Sequence, residues 1–93
     1  MVVMKINDVV SVVTPAGEFI GKLAEQTDSR IKLTDPRMLI HAGEGMGFAR
    51  GIAISGCENP TEVEFFASGV VFMTPSNDDV QKAYRKMTSG IIL

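Results

Sequence analysis

Two cations one residue apart, Arg30 and Lys32, follow the turn Gln26-Thr27-Asp28-Ser29, and Lys22 and Arg37 stand on the flanking segments. Such a concentration of cations is the kind that meets nucleic-acid phosphates. Glu25, Asp28 and Asp35 lie close by, so in a single copy the same stretch also reads as an ordinary solvated hairpin. Single-strand binders need flat groups on which bases stack. The turn has no aromatic residue, which leaves the guanidinium plane of Arg30 as its stacking surface. A second candidate is Gly43-x-Gly45-x-Gly47, whose amides could approach an anion closely. It lacks the Gly-Lys-Ser/Thr ending of a phosphate loop and no helix follows it, so it reads as a flexible insert tip. His41, Phe48 and Arg50 around it would form a polar and stacking set if that loop ordered on a ligand. The single histidine, His41, and the single cysteine, Cys57, cannot supply a zinc-type ligand set. Glu62 and Glu64 lie two apart and share a strand face, as any exposed strand would show. No catalytic residue, metal or cofactor is expected, and the chain does not read as an enzyme.

These residues must be positioned by short strands. Val9 to Val13 alternates, with Val10 and Val12 on one face and Val9, Ser11 and Val13 on the other. Thr14-Pro15-Ala16-Gly17 fits a β-turn, with proline second and glycine fourth. A second strand follows, with Phe19, Gly21 and Leu23 on one face and Ile20 and Lys22 on the other. Gly21 inside a strand implies a sharp bend or a close approach. After the Asp28-Ser29 turn, Ile31 and Leu33 alternate with Lys32 in a third strand, so strands 1–3 occupy residues 9–34. Asp35-Pro36 breaks the pattern. Residues 35–61 form a long insert, in which Met38-Leu39-Ile40 continues the third strand and Ile52-Ala53-Ile54 returns beside it. Residues 62–74 hold strands 4 and 5; Phe65 and Phe66 fall on opposite faces, one for the core and one for an interface. A helix over 77–89 follows, with Ser76 as N-cap, Asp78 and Asp79 at its positive end, and Val80, Ala83, Tyr84 and Met87 as its apolar stripe. Gly90 ends it, and the tail Ile91-Ile92-Leu93 should find a groove or a neighbouring subunit. Val3 to Ile6 reads as an extended lead-in.

The pattern Gly17…Gly21-x-Leu23…Asp28-x-x-Ile31-x-Leu33 resembles the first signature of the Sm and Sm-like (LSm) proteins. Phe65-Phe66-Ala67-Ser68-Gly69-Val70-Val71-Phe72-Met73-Thr74-Pro75-Ser76 resembles that family's paired fourth and fifth strands, in the style of its bacterial host-factor branch. Together the matches cover roughly half the chain, and taken whole it looks like Sm-like proteins carried by phages. The family's fold is a small, strongly bent, five-stranded antiparallel barrel of SH3-like type. Here it would carry the long insert between strands 3 and 4 and the C-terminal helix. Family members assemble into rings and generally bind single-stranded RNA. The resemblance implies that Asp28 braces the turn, that Arg30 and Lys32 contact base or phosphate, and that Ser68 and Gly69 close the pocket. It also implies a seam in which the fourth strand of one subunit pairs with the fifth of the next, with Phe66, Val71 and Met73 as seam residues. Lys32 stands where the family commonly has an RNA-contacting asparagine, and Ala67-Ser68-Gly69 replaces its Arg-Gly pair. Another five-stranded type, an oligonucleotide-binding barrel, is the alternative fold and needs no such seam.

Composition sets bounds on this reading. The chain has 93 residues, enough for one small domain, and a hydrophobic share of 45% that exceeds what one small barrel readily buries. A ring of about five to seven subunits would use the excess. Net charge is −2, so there is no global electrostatic attraction for nucleic acid. One cysteine rules out an internal disulfide framework and suits a reducing cytosol. No signal peptide or membrane-spanning stretch is read, and the expected location is cytoplasmic. The expected function is non-catalytic binding of single-stranded RNA or DNA by a homo-oligomeric ring, in nucleic-acid processing or regulation. The alternative is a structural or protein-interaction ring that binds no nucleic acid.

Overall fold

The computed structural model describes residues 4–42, 45–49, 51–53, 55–58 and 60–88. Strands β1 (Val9–Thr14) and β2 (Gly17–Gln26) form a hairpin whose ladder closes at Thr14↔Gly17. Thr14 Oγ1 accepts from the Ala16 amide at 3.1 Å and donates to the Gly17 carbonyl at 3.0 Å. Gly17 takes a positive φ of 149°. β3 (Arg30–Ala42) returns along β2, β4 (Gly45–Ala49) pairs with its far half, and β5 (Glu62–Phe66) pairs with its near half. A 3-10 turn (Ala67–Gly69) leads to β6 (Phe72–Pro75), which pairs with β1, and helix α1 (Asp78–Thr88) follows. The result is one antiparallel sheet in the order β4-β3-β2-β1-β6, with β5 on β3. The all-β architecture and the C-terminal helix agree with the sequence pattern. Among the described residues the strand count is six rather than five, and no ladder between β5 and β6 closes the sheet into a barrel.

The sheet bends where two sequence breakers meet. Between the pairs Ile20↔Arg37 and Lys22↔Thr34 the register shifts, setting Asp35 and Pro36 on β3 against Gly21 alone on β2. Such a two-against-one bulge bends the strand that carries the extra residue. Asp35 takes a φ of 49°, and its amide, freed from the ladder, donates to the Thr61 carbonyl at 2.8 Å. β3 therefore passes through Asp35-Pro36 without ending there.

The insert departs from expectation. The strand that returns beside Met38–Ala42 is Gly45–Ala49, in the segment read as a loop, while Ile52 and Ala53 lie in a bend. The nearer partner closes the smaller loop and loses less chain entropy. At this edge of the sheet, glycine's weak strand preference is tolerated. Gly43 and Glu44 lie outside the described residues. Ile6 and Asn7 turn rather than extend, with Asn7 at a φ of 77°; Val3 lies outside the described residues.

Two apolar faces are buried. Val10, Val12, Leu23, Ile31 and Leu33 form the first core, with Val63, Phe65, Val70 and Met73 packed on it. On the other face Val9, Ile20 and Tyr84 form a second core with Leu39, Phe48 and Val80. α1 thus covers the side of β1 that alternation alone assigns to solvent. The Tyr84 hydroxyl lies 2.6 Å from the Asp35 carbonyl and 3.1 Å from that of Thr34, so the helix holds the bulge by its backbone. Burial, reinforced by the Asp35 carboxylate, pushes the Tyr84 hydroxyl up to about 12.

The helix cap is also corrected. Asn77 Oδ1 accepts from the Val80 amide at 2.9 Å, so Asn77 is the N-cap. Ser76 is buried instead, its hydroxyl 2.7 Å from that of Ser11. Residues 89–93, which include the expected helix stop and apolar tail, lie outside the described residues. Among the described residues no helix is long and apolar enough to cross a membrane.

Candidate functional site

The turn between β2 and β3 is braced by Thr27. Its Oγ1 accepts from the amides of Ser29 and Arg30 at 3.3 and 3.1 Å, and its own amide donates to the Arg30 carbonyl at 2.8 Å. A threonine hydroxyl can replace a backbone acceptor in this way. Asp28, expected to brace this turn, stands exposed at its tip. The Ala67 amide donates to the Ser29 carbonyl at 2.8 Å, which draws the 3-10 turn, with exposed Ser68 and Gly69, against the β2–β3 turn. The two segments on which the sequence resemblance rests therefore meet here, and Asp28, Arg30, Ser68 and Gly69 gather at one end of the sheet.

Lys32 follows on the same face as Arg30, opposite Glu25 on β2 and Glu64 on β5. Arg30 makes an ion pair with Glu64 Oε1 at 3.0 Å, and its guanidinium carbon lies 5.5 Å from the centroid of the Phe66 ring. The aromatic group missing from the turn is thus supplied by β5. By ladder register this face holds Lys22, Arg30 and Lys32 against Glu25, Glu62 and Glu64, so its cations are balanced by carboxylates. Beside it opens a shallow cleft of about 430 Å³, lined mainly by Thr14, Phe19, Phe65, Phe66, Ser68 and Gly69, with Glu64 at its wall.

The expected loop contacts do not assemble. Phe48 packs edge-on against Tyr84, with centroids 6.3 Å apart, so it is occupied in the second core. His41 is exposed on β3, and Arg50 lies outside the described residues. Arg37 sits beyond the bulge, donating to the Pro36 carbonyl at 2.9 Å.

Of the expected seam residues, Phe66 and Val71 are 62% and 64% exposed. Met73 faces inward onto the first core, and its neighbour Phe72 is the exposed one, at 53%. Phe65 packs edge-on against Phe19 at 5.2 Å, so the two phenylalanines divide between core and surface as alternation requires. Among the described residues, β5 has no ladder partner except β3, and β6 none except β1.

No protein-family model matches the chain, and no curated protein matches it at a significant level.

Proposed function

We propose that the chain is the subunit of an Sm-like ring that binds single-stranded RNA or DNA without catalysis, in cytoplasmic nucleic-acid processing or regulation. The observation that carries this reading is the Ala67–Ser29 hydrogen bond, which joins the two matched sequence segments at a single site. Arg30 and Phe66 then provide a stacked cation and aromatic ring, the pairing that single strands use. Without the insert hairpin, five strands remain in the order β6-β1-β2-β3-β5, bent at the Gly21 bulge, as a small Sm-like barrel requires. The edges of β5 and β6, open among the described residues and flanked by exposed Phe66, Val71 and Phe72, suit head-to-tail pairing between copies. Such contacts close into a ring when the rotation per subunit permits, here with about five to seven subunits.

The balanced charge of the site favours a second reading, a ring that serves as a structural or protein-interaction scaffold. Fluorescence anisotropy separates the two. A labelled U-rich RNA and a mixed-sequence DNA strand are titrated at low and moderate salt, with Arg30→Ala/Lys32→Ala as the comparison. Nucleic-acid binding predicts micromolar or tighter affinity that weakens with salt and in the double variant. An assembled ring that binds neither strand would overturn it in favour of the scaffold.

A further inference from the structure

The sheet face that carries Lys22, Arg30 and Lys32 is balanced by Glu25, Glu62 and Glu64, but α1 lies on the same face and adds charge to it unevenly. Its carboxylates, Asp78 and Asp79, stand in the first turn, and Arg85 and Lys86 stand in the last. Asp79 and Arg85 are about 9 Å apart along the axis. The Tyr84 hydroxyl fastens the basic end at the Thr34 and Asp35 carbonyls, and Lys22 opposes Thr34 on β2. On one flank of α1, Ala83 borders a groove with Leu39, Met46 and Phe48, toward β4. Arg85 is two residues on, about 200° around the helix, so it faces the other half of the sheet, which carries Lys22 and Lys32. Arg85 is exposed, and neither it nor Lys22 nor Lys32 makes an ion pair among the described residues, in contrast with Arg30. Burial and the Asp35 carboxylate raise the Tyr84 hydroxyl, and the Arg37 charge, the Lys22 amide and the Arg85 charge partly offset them. Lys22 and Arg85 therefore stand within reach of one oxygen.

We infer that Lys22 and Arg85 form a second station for the nucleic acid, one that grips phosphate alone and continues the track of Arg30 and Lys32 toward α1. This inference deepens the nucleic-acid reading above and rests on it. Thr34, beside Lys22, is four residues from Arg30, about 13 Å along β3, so one single strand can reach both stations. Tyr84, the aromatic residue at this end of α1, is buried, so no base stacks on it. A cationic track that follows the backbone is what a single strand needs between its stacking points.

The test uses the full chain in its assembled form, with labelled U-rich RNA and a mixed-sequence DNA strand titrated over a range of salt. In Lys22→Gln/Arg85→Gln both ligands should bind about three- to tenfold more weakly, the effect of losing two exposed charge contacts. The slope of log affinity against log salt should become shallower by about 1.4, near 0.7 for each phosphate contact removed from a single strand. The ratio of RNA to DNA affinity should stay the same, because phosphate contacts carry no sequence. Lys22→Arg/Arg85→Lys, which keeps both charges, should retain affinity and slope. Lys82→Gln removes a charge from the outer face of α1, about 160° around from Tyr84, and should cost less than Arg85→Gln alone. Wild-type affinity and slope in the double Gln variant overturn the inference alone and leave Arg85 to the helix dipole. Equal losses in Lys82→Gln and Arg85→Gln, the mark of net charge rather than a site, also overturn it. So does a loss that persists in the charge-keeping pair. A wild-type assembly that binds neither ligand overturns the functional reading and this inference with it.

Discussion

Gly21 has no room for a side chain. A β-carbon there would lie 2.9 Å from Leu33 Cβ and 3.2 Å from the Thr34 carbonyl oxygen, both fixed in the sheet. Gly21→Ala should therefore cost about 2 kcal/mol or more, as overpacking of a rigid site does. Gly45 on β4 has nothing within 4 Å of such a carbon, and Gly45→Ala should shift stability by about 0.5 kcal/mol or less. Urea midpoints of the two variants, compared with the wild type, check the contrast. Tyr84 supports a second expectation at this scale. Its hydroxyl titrates at about 12 in the folded chain against an ordinary value of 10.0, so between those pH values the folded state holds the extra proton. Stability from this group is complete below about pH 10 and is lost as pH rises through 12, a change of about 3 kcal/mol. Tyr84→Phe removes the titration. Its unfolding free energy, measured in urea from pH 9 to 12, should decline less steeply than that of the wild type. At neutral pH the variant should be weaker by about 1 kcal/mol for the lost hydrogen bond.

At the scale of elements, legibility followed local chemistry. The Pro15-Ala16 turn, the bend at Gly21, the turn after Gln26 and the split of Phe65 from Phe66 all follow from single-residue constraints, and each is present. The facing of Gly21 by Asp35 and Pro36 was not legible, because ladder register depends on residues far apart in the chain. The second core was hidden for a related reason. Val9 and Ile20 are solvent-facing by alternation until helix α1, far later in the chain, covers them, which turns a one-faced strand pattern into a two-faced one. Strand β4 was hidden by its glycines, whose local preference an edge position overrides. At the site, Arg30 and Lys32 were legible as cations, but Glu64 and Phe66 became its neighbours only through the pairing of β3 with β5. The cap slipped by one residue because Ser76 and Asn77 are both good caps, and burial beside Ser11 claims the serine. Asn77→Ala should then cost about 1 kcal/mol, whereas Asn77→Asp should retain most of the stability. Thermal unfolding followed by circular dichroism at 222 nm checks this, and equal losses in both variants would remove Asn77 from the cap.

For the whole molecule, the proposed assembly turns on which side of β6 faces outward. Phe66, Val71 and Phe72 are exposed apolar residues beside two strand edges that are unpaired among the described residues, a combination that a soluble single copy rarely leaves uncovered. Met73 lies next to Phe72 in sequence but pairs with Val12 on β1 and packs against the first core. The same substitution at adjacent positions should therefore have two different outcomes. Phe72→Glu places a charge in the proposed seam and leaves the core intact, so it should give a folded chain of monomer mass. Met73→Glu places that charge against the core, where an unpaired carboxylate is strongly disfavoured, so it should lower thermal stability severely. Light scattering coupled to size-exclusion chromatography reports the mass, and circular dichroism reports the fold. A wild type that already runs at monomer mass at tens of micromolar would remove the ring. A Phe72→Glu variant that keeps a multimeric wild-type mass would move the seam away from β6. If Phe72→Glu alone dissociates the assembly, the β5–β6 corner is the contact between copies, and the site formed by Arg30, Glu64 and Phe66 recurs once per subunit beside it.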